Sequence, residues 1–392
     1  MIKTADTPRT WNETLDTPSS PGRSRLEESW RLFRTNRLAL IGLGIFLIFF
    51  CVALLGVFLT SGSNPVFDPA LVRLEEKLRP PLSRPNLDAL TPGKVPTLGV
   101  YLFGTDDLGR DIFSRMLQGA WVSLTVGFVA VGLSVLIGIV MGGLAGYFGQ
   151  ARVTFGHLLA CLLLGMGSTW LVAGNKWLAI VLLLTGGALL YISLQDTRSG
   201  RNPAKENLWL SWRRLPIMTV ETLIMRVVDI MLCFPSFFLI LTVVAILPAS
   251  MYNIMIVIGL TSWMGAARFV RAEFLSLREQ DFVTAARALG VGKLRIIFRH
   301  MMPNALGPVL VSATIGIASA ILTEAGLSFL GFGVPPPHAT WGNILSDGKN
   351  FIFDAPWLTF IPGFAILIVV LSFNLFGEGL RDILNPKLRK RS

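Results

Sequence analysis

The stretch DFVTAARALGVGKLRIIFRHMMP, residues 281–303, decides how the rest of this chain is read, because it is polar and basic while the runs on either side are long and apolar. Phe282, Ala285, Ala286 and Leu289 stand at i, i+3, i+4 and i+7, the spacing of one helical face. Gly290 and Gly292 follow where a helix would stop. A second helix is expected beyond them, with Leu294, Ile297, Phe298 and Met301 at the same spacing, and Pro303 marks the next expected break. Two alanines at the centre of an apolar face leave a shallow surface that another protein can approach closely. The same pattern also suits an interfacial helix whose basic residues meet lipid headgroups.

Working outward, the chain is far more apolar than a soluble domain of its size: 52% of its 392 residues are hydrophobic and 15% are charged, with a mean hydropathy of +0.61. It reads as an all-α integral membrane protein, a polytopic helical bundle. The net charge of +11 lies beside apolar runs rather than among aromatic or polar stretches. It is therefore assigned to membrane orientation, and nucleic acid is not an expected partner. Cys51, Cys161 and Cys233 each sit inside an apolar run without CxxC or Cys/His spacing, so neither a disulfide framework nor a metal site is indicated. No signal-peptide layout precedes the first apolar run, which is expected to be an uncleaved anchor.

Residues 1–25 are rich in Pro, Ser, Thr and charge and read as a disordered cytoplasmic tail. Residues 26–60 hold a basic start (Arg31, Arg34, Arg37) and a first span over 38–59, and residues 61–118 form a Pro-rich extramembrane loop. A second span is expected from about Val122 to Tyr147, within a segment 119–150, where Gly138, Gly142 and Gly146 fall four apart and invite close packing by a neighbouring helix. Residues 151–220 then carry a helical hairpin (155–172 and 177–194) and a basic loop. Residues 221–392 supply spans at about 227–247, 252–270, 305–325 and 357–376, which brings the expected total to about eight. With the N-terminus in the cytoplasm, eight spans return the C-terminus there, and the cytoplasmic pieces then hold 26 of the 35 Lys and Arg residues. That orientation places 272–303 inside the cell.

The chain has no catalytic equipment of its own in this reading. Gly292-Lys293 lacks the phosphate-loop pattern, because Arg287 stands where its first Gly is needed and Leu294 follows the Lys in place of Ser or Thr. His157, His300 and His338 are scattered, so no catalytic, cofactor-binding or metal-binding residue is assigned. Two acidic residues inside spans attract attention. Asp229 either lines a path or pairs with Arg226 three residues earlier, and the spacing favours the pair. Glu324 either begins a loop packed against the mouth of the bundle or marks an interfacial helix end. Pro335 to Pro337 are expected to be extended, ahead of a Trp341 that could anchor at the interface.

The run TAARALG(x9)HMMP, residues 284–303, resembles the cytoplasmic EAA loop of permease subunits of ATP-binding cassette (ABC) importers, with Ala285, Ala286, Gly290 and Pro303 at matching positions. FGTDDLGRDIFSR (103–115), GYFG (146–149), MRVVDIMLCFPS (225–236), RHMMPNALGP (299–308), ILTEAGLSFLGFGVPPP (321–337), WGNIL (341–345) and NLFGEGLRDILNPKLR (374–389) are similar to the C-type permease of the dipeptide, oligopeptide and nickel uptake group. The resemblance implies a type I importer bundle with a six-span core, here enlarged by the hairpin of 151–220. Family members usually pass almost directly from GYFG to the helix bearing MRxxD. It implies that Phe282, Thr284, Ala285, Ala286, Arg287, Leu289, Gly290 and Arg295 form a coupling element, with Arg287, Lys293 and Arg295 at its polar rim. Thr284 stands where the family usually has Glu.

The implied partners are a second, related permease, two ATP-binding subunits that hold ATP and magnesium, and an extracytoplasmic substrate-binding protein, all at a bacterial cytoplasmic (inner) membrane with both termini inside. The implied work is import of peptides or a related small solute by alternating access. Nickel-chelate import, and a secondary transporter or channel with no ATPase, are the alternatives.

Overall fold

In the computed structural model, residues 33–34, 36–62, 64–88, 90–91, 94–174, 176–199 and 215–384 are described. The expected N-terminal tail, most of the basic loop after the hairpin and residues 385–392 lie outside them. Helix α1, Arg37–Thr60, is capped by the Asn36 side chain, which accepts from the Ala39 amide. Helix α2, Ile112–Tyr147, is a single helix of 36 residues. The helix that carries the second expected span thus starts ahead of residue 119. Asp111 is the reason: its carboxylate accepts from the amides of Phe113 and Ser114 and nucleates the helix at Ile112. At 1.5 Å per residue α2 is about 54 Å long, far beyond the roughly 30 Å of a bilayer's hydrocarbon core, so one end projects from the membrane.

Beyond α2, a short strand β1 (Arg152–Thr154) pairs antiparallel with β2 (Pro216–Thr219), bringing Arg152 opposite Thr219. Between the strands lie α3 (Phe155–Val172) and α4 (Lys176–Ser199). These two helices pack chiefly on each other, with Gly167 and Gly186 letting Leu183 and Leu164 approach. Among the described residues, the two-stranded ribbon joins them to the rest.

The span expected over 227–247 is broken. Helix α5, Val220–Leu232, and helix α6, Ser236–Ile246, meet at an 80° bend. Pro235 sits at the bend, where it lacks an N–H for the helical ladder and disfavours helical geometry at Phe234. Helix α7 is Met251–Arg278, helix α8 is Asp281–Ala288 and helix α9 is Lys293–Phe329. Pro303 does not end a helix. The ladder of α9 widens into a π segment over Ile296–Met301, and Pro303 falls in the first turn after it. Helix α10, Trp341–Gly348, and helix α11, Trp357–Leu384, complete the order.

Among the described residues, six helices are long and apolar enough to cross a membrane, and the bent pair α5–α6 makes a seventh if it counts as one span. The remaining member of the expected eight, α3, is a shorter apolar helix. The bundle core lies among α2, α6, α7, α9 and α11, with Val126, Ile258, Ile321 and Val369 buried in it. Gly138, Gly142 and Gly146 of α2 face Ala266, Ala267 and Phe274 of α7, and a Cβ at any of the three would collide with that helix. The fourfold spacing therefore acts as read, with α7 as its partner.

Candidate functional site

Helix α8 is attached to the bundle by one side. Val283 and Ala286 are buried against Phe274 and Leu277 of α7 and Ile296, Ile297 and Met301 of α9. The turn after it is made by Gly290 at φ +74°, a conformation that a side chain disfavours. On the other side Phe282, Ala285 and Leu289 are exposed, Leu289 to 83%, and Leu294 at the start of α9 is 66% exposed. Ala286, expected with them, is turned inward, because Val283 and Ala286 together make the inner face. Thr284 and Arg295 are exposed, and the Thr284 hydroxyl donates to the Asp281 carbonyl. Arg287 is exposed, and its guanidinium lies over the Tyr147 ring, 5.6 Å from the centroid.

Two ion pairs tie α5 to α7 near this end. Asp229 pairs with Arg268 at 2.5 Å, across the helix packing, and not with Arg226 on its own helix. Arg271 Nε donates to Glu221 at 2.9 Å, and the same arginine's terminal nitrogen also contacts that carboxylate. Both pairs link a helix on one side of the bend to the long arm of α7, something the i,i+3 rule could not anticipate. The first is half exposed and the second about a third exposed.

At the opposite end of α2 the polar groups are buried. Asp106 is fully buried and accepts from Arg110 Nε at 2.6 Å, Arg115 Nη1 at 2.5 Å and the amides of Leu108 and Arg110. Arg115 also reaches Asp347 of α10 at 2.9 Å. The loop before α2 is thereby fastened to the helix after α9. Burial, followed by the charges of Asp106 and Asp347, holds the Asp107 carboxyl above the usual carboxylate range. Burial does the same to Asp111, while the Ser114 hydroxyl and the Ser114 and Phe113 amides pull it back. Tyr101, fully buried in this loop, is pushed up to about 12 by burial.

Glu324 lies in α9, five residues before its last residue Phe329. It is fully buried in α9, accepts from Ser328 Oγ at 2.7 Å, and lies beside the hydroxyls of Ser123 of α2 and Thr340. Trp341 is 1% exposed, donates from its backbone N–H to Ser123 Oγ and from its indole to the Met116 carbonyl, and so is a buried wedge and not a membrane anchor. The chain turns at Pro336 and Pro337, where an extended run was expected. The Asp106, Arg115 and Asp347 knot escaped sequence reasoning. Its visible signal was the alternation of acids and arginines in DDLGRDIFSR, but its third member lies 232 residues away from Arg115.

Helix α8 thus stands between two long apolar helices with an exposed apolar face. Residues 217–390 match the binding-protein-dependent transport system inner membrane component, and residues 24–81 match the N-terminal transmembrane domain of oligopeptide transport permease C. A dipeptide transport system permease protein of Alkalihalophilus pseudofirmus is 34% identical over 92% of this chain and 90% of its own length. The chain belongs to the ABC-importer permease family. An oligopeptide transport system permease protein of Bacillus subtilis is 32% identical over 91% of this chain and 88% of its own, and a dipeptide transport system permease protein of Haemophilus influenzae is 33% identical over 98% and 100%. As a permease of this family, the chain is a multi-pass helical membrane protein that works within a multi-subunit ABC transporter.

Proposed function

We propose that this permease imports peptides, di- or oligopeptides, through a path it shares with a second permease subunit, and that α8 receives the motion that drives import. The observation that carries the second part is the division of α8 into a buried face (Val283, Ala286) and an exposed apolar face (Phe282, Ala285, Leu289). Exposed apolar side chains on a short, rigidly anchored helix lose water favourably only when another surface covers them. An ATP-binding subunit is that surface, with Phe282, Ala285 and Leu289 at the centre and Thr284, Gly290 and Arg295 around them. ATP and magnesium sit on two such partner chains, and this chain's own work is conformational: closure of the ATPase pair pushes α8, and α7 and α9 carry the push into the bundle.

The peptide assignment is supported by the relatives, whose names specify dipeptide and oligopeptide transport. The basic residues that flank α8 support a cytoplasmic position for it, hence for both termini, in a bacterial inner membrane, with the loop before α2 facing an extracytoplasmic binding protein.

The test is co-purification of the chain with its ATPase. Ala285→Glu places a charge on the exposed face without touching the buried one, and is expected to abolish co-isolation while the variant still elutes as a folded membrane protein in gel filtration. Retained co-isolation together with normal peptide uptake would sink the coupling role. Peptide uptake by this chain alone in liposomes would instead establish the secondary-transporter alternative.

A further inference from the structure

Beside α8, on the flank turned away from Phe282, Ala285 and Leu289, lies a cleft of about 620 Å³ between the end of α2, the end of α7 and the start of α9. Gln150, Arg278, Arg287 and Lys293 give it polar walls, and Tyr147 and Val291 supply apolar lining. The one carboxylate on its wall, Glu279, is engaged by Arg278 Nε at 3.1 Å. Arg287 and Lys293 are exposed and have no carboxylate partner among the described residues. The Arg287 guanidinium is held over the Tyr147 ring, which fixes its direction and leaves the N–H groups along its edge free. Thr284, on the outward side between this flank and the apolar one, adds no charge, and its hydroxyl donates to the Asp281 carbonyl.

We propose that this cleft is a second contact of the ATP-binding subunit and takes carboxylate side chains, Asp or Glu, that the subunit presents. The proposal rests on the reading of α8 as the seat of that subunit. Area is the first reason. A stable subunit interface buries roughly 800 Å² on each partner, more than Phe282, Ala285 and Leu289 supply from a helix of eight residues. The contact must therefore spread past the apolar face, and α8, about 10–12 Å across, brings its other flank within reach of the same surface. Charge then fixes what meets that flank. Three cations stand against one carboxylate, and the two unpaired ones offer a guanidinium fork and an ammonium, which match carboxylate oxygens. Exposure selects a carboxylate carried by a protein over a free anion. Arg287, Lys293 and Glu279 are open to water, so a small ion in solution is screened and exchanged there. A carboxylate on a subunit already seated on α8 arrives at high effective concentration, with water displaced around it. The two flanks of α8 then do different work: the apolar one contributes burial, and the basic one fixes register.

The experiment treats the full chain, isolated with its ATP-binding subunits in mild detergent, with a water-soluble carbodiimide, which joins an amine to a carboxylate as an amide while the carbodiimide takes up the water and leaves as a urea. Peptide mass spectrometry is expected to find Lys293 Nζ joined to an Asp or Glu of the ATP-binding subunit. Lys293 joined only to Glu279, or left unmodified while other links between the subunits form, overturns the proposal. Affinity for the ATP-binding subunits is measured alongside, at low and moderate salt. Arg287→Gln combined with Lys293→Gln should weaken it about fivefold at low salt and remove most of its salt dependence, since two charge pairs at the rim are lost. Lys176→Gln, an exposed cation on the hairpin, should change neither. A salt dependence that survives in the double variant overturns the proposal. So does protection of Lys293 from acetylation by inorganic phosphate, or by phosphatidylglycerol added to the detergent, in the chain without its ATP-binding subunits. Ala285→Glu separates the two readings. If the complex and the Lys293 link both survive that change, the apolar contact falls and the cleft stands; if it abolishes the complex while the wild-type complex gives no Lys293 link, the cleft falls alone.

Discussion

The two ends of α2 handle polar and apolar groups in opposite ways. At its N-terminal end Asp106, Arg115 and Glu324 are buried, and the acids and bases of the loop satisfy one another across more than two hundred residues of chain. At its C-terminal end the ion pairs lie partly in the open, and it is apolar side chains, Phe282, Leu289 and Leu294, that stand exposed. A buried charge must find its partner inside the fold because desolvation is costly, so the first end is closed by its own chemistry. An exposed apolar face has no such partner within the fold, and under the proposed coupling role an ATP-binding subunit covers it. The difference separates a part built for rigidity from a part built for contact.

That contrast can be broken at graded strength. Asp106→Ala removes the acceptor of two arginines and two backbone amides in a water-free site, and is expected to cost about 3–5 kcal/mol, read as collapse of the monodisperse peak or a steep fall in thermal midpoint. Recovery of wild-type stability in that variant would mean that Asp347 alone satisfies Arg115. Gly142→Leu drives a side chain into α7 and should cost about 1–3 kcal/mol, with loss of transport exceeding loss of folded protein if α2 and α7 move as one body. Arg268→Ala opens a half-exposed pair and is expected to shift stability by only about 0.2–1 kcal/mol. A larger shift would show that this pair is shielded by a partner. Smallest of all should be excision of residues 155–215. Thr154 and Pro216 already face each other in the ribbon, so a two-residue Asn-Gly turn can replace the excised segment, and the thermal midpoint of the remaining bundle should not move. A drop comparable to that of Gly142→Leu would show that the hairpin bears on the core.

Much of this architecture was readable from residue order. The apolar runs located α1, α2, α4, α7, α9 and α11, the fourfold glycines marked a close helix contact, and the AARALG run marked the exposed element. The misreadings share one character. The bend at Pro235 and the passage of α9 through Pro303 depend on what surrounds each proline: at one the ladder has no substitute partner, and at the other a π segment absorbs the missing donor. Asp229 was assigned to the nearest arginine on its own helix, whereas packing of α5 on α7 brings Arg268 closer. Trp341 looked interfacial because hydropathy counts neighbours along the chain, while its burial is set by α2 lying against it, and the same contact encloses Glu324.

By itself, then, the sequence determined that this chain lives in a membrane, where its long apolar runs lie, and that residues 281–303 are a helical segment of unlike character set among them. Those properties follow from composition and period, which are local sums. Only the tertiary structure decided that Val283 and Ala286 are the inner face and Phe282, Ala285 and Leu289 the outer one, that Asp106 and Arg115 wait for Asp347, and that Arg287 turns into a basic cleft. Each of these is a choice among partners distant in the chain, made by packing and desolvation once the helices have met.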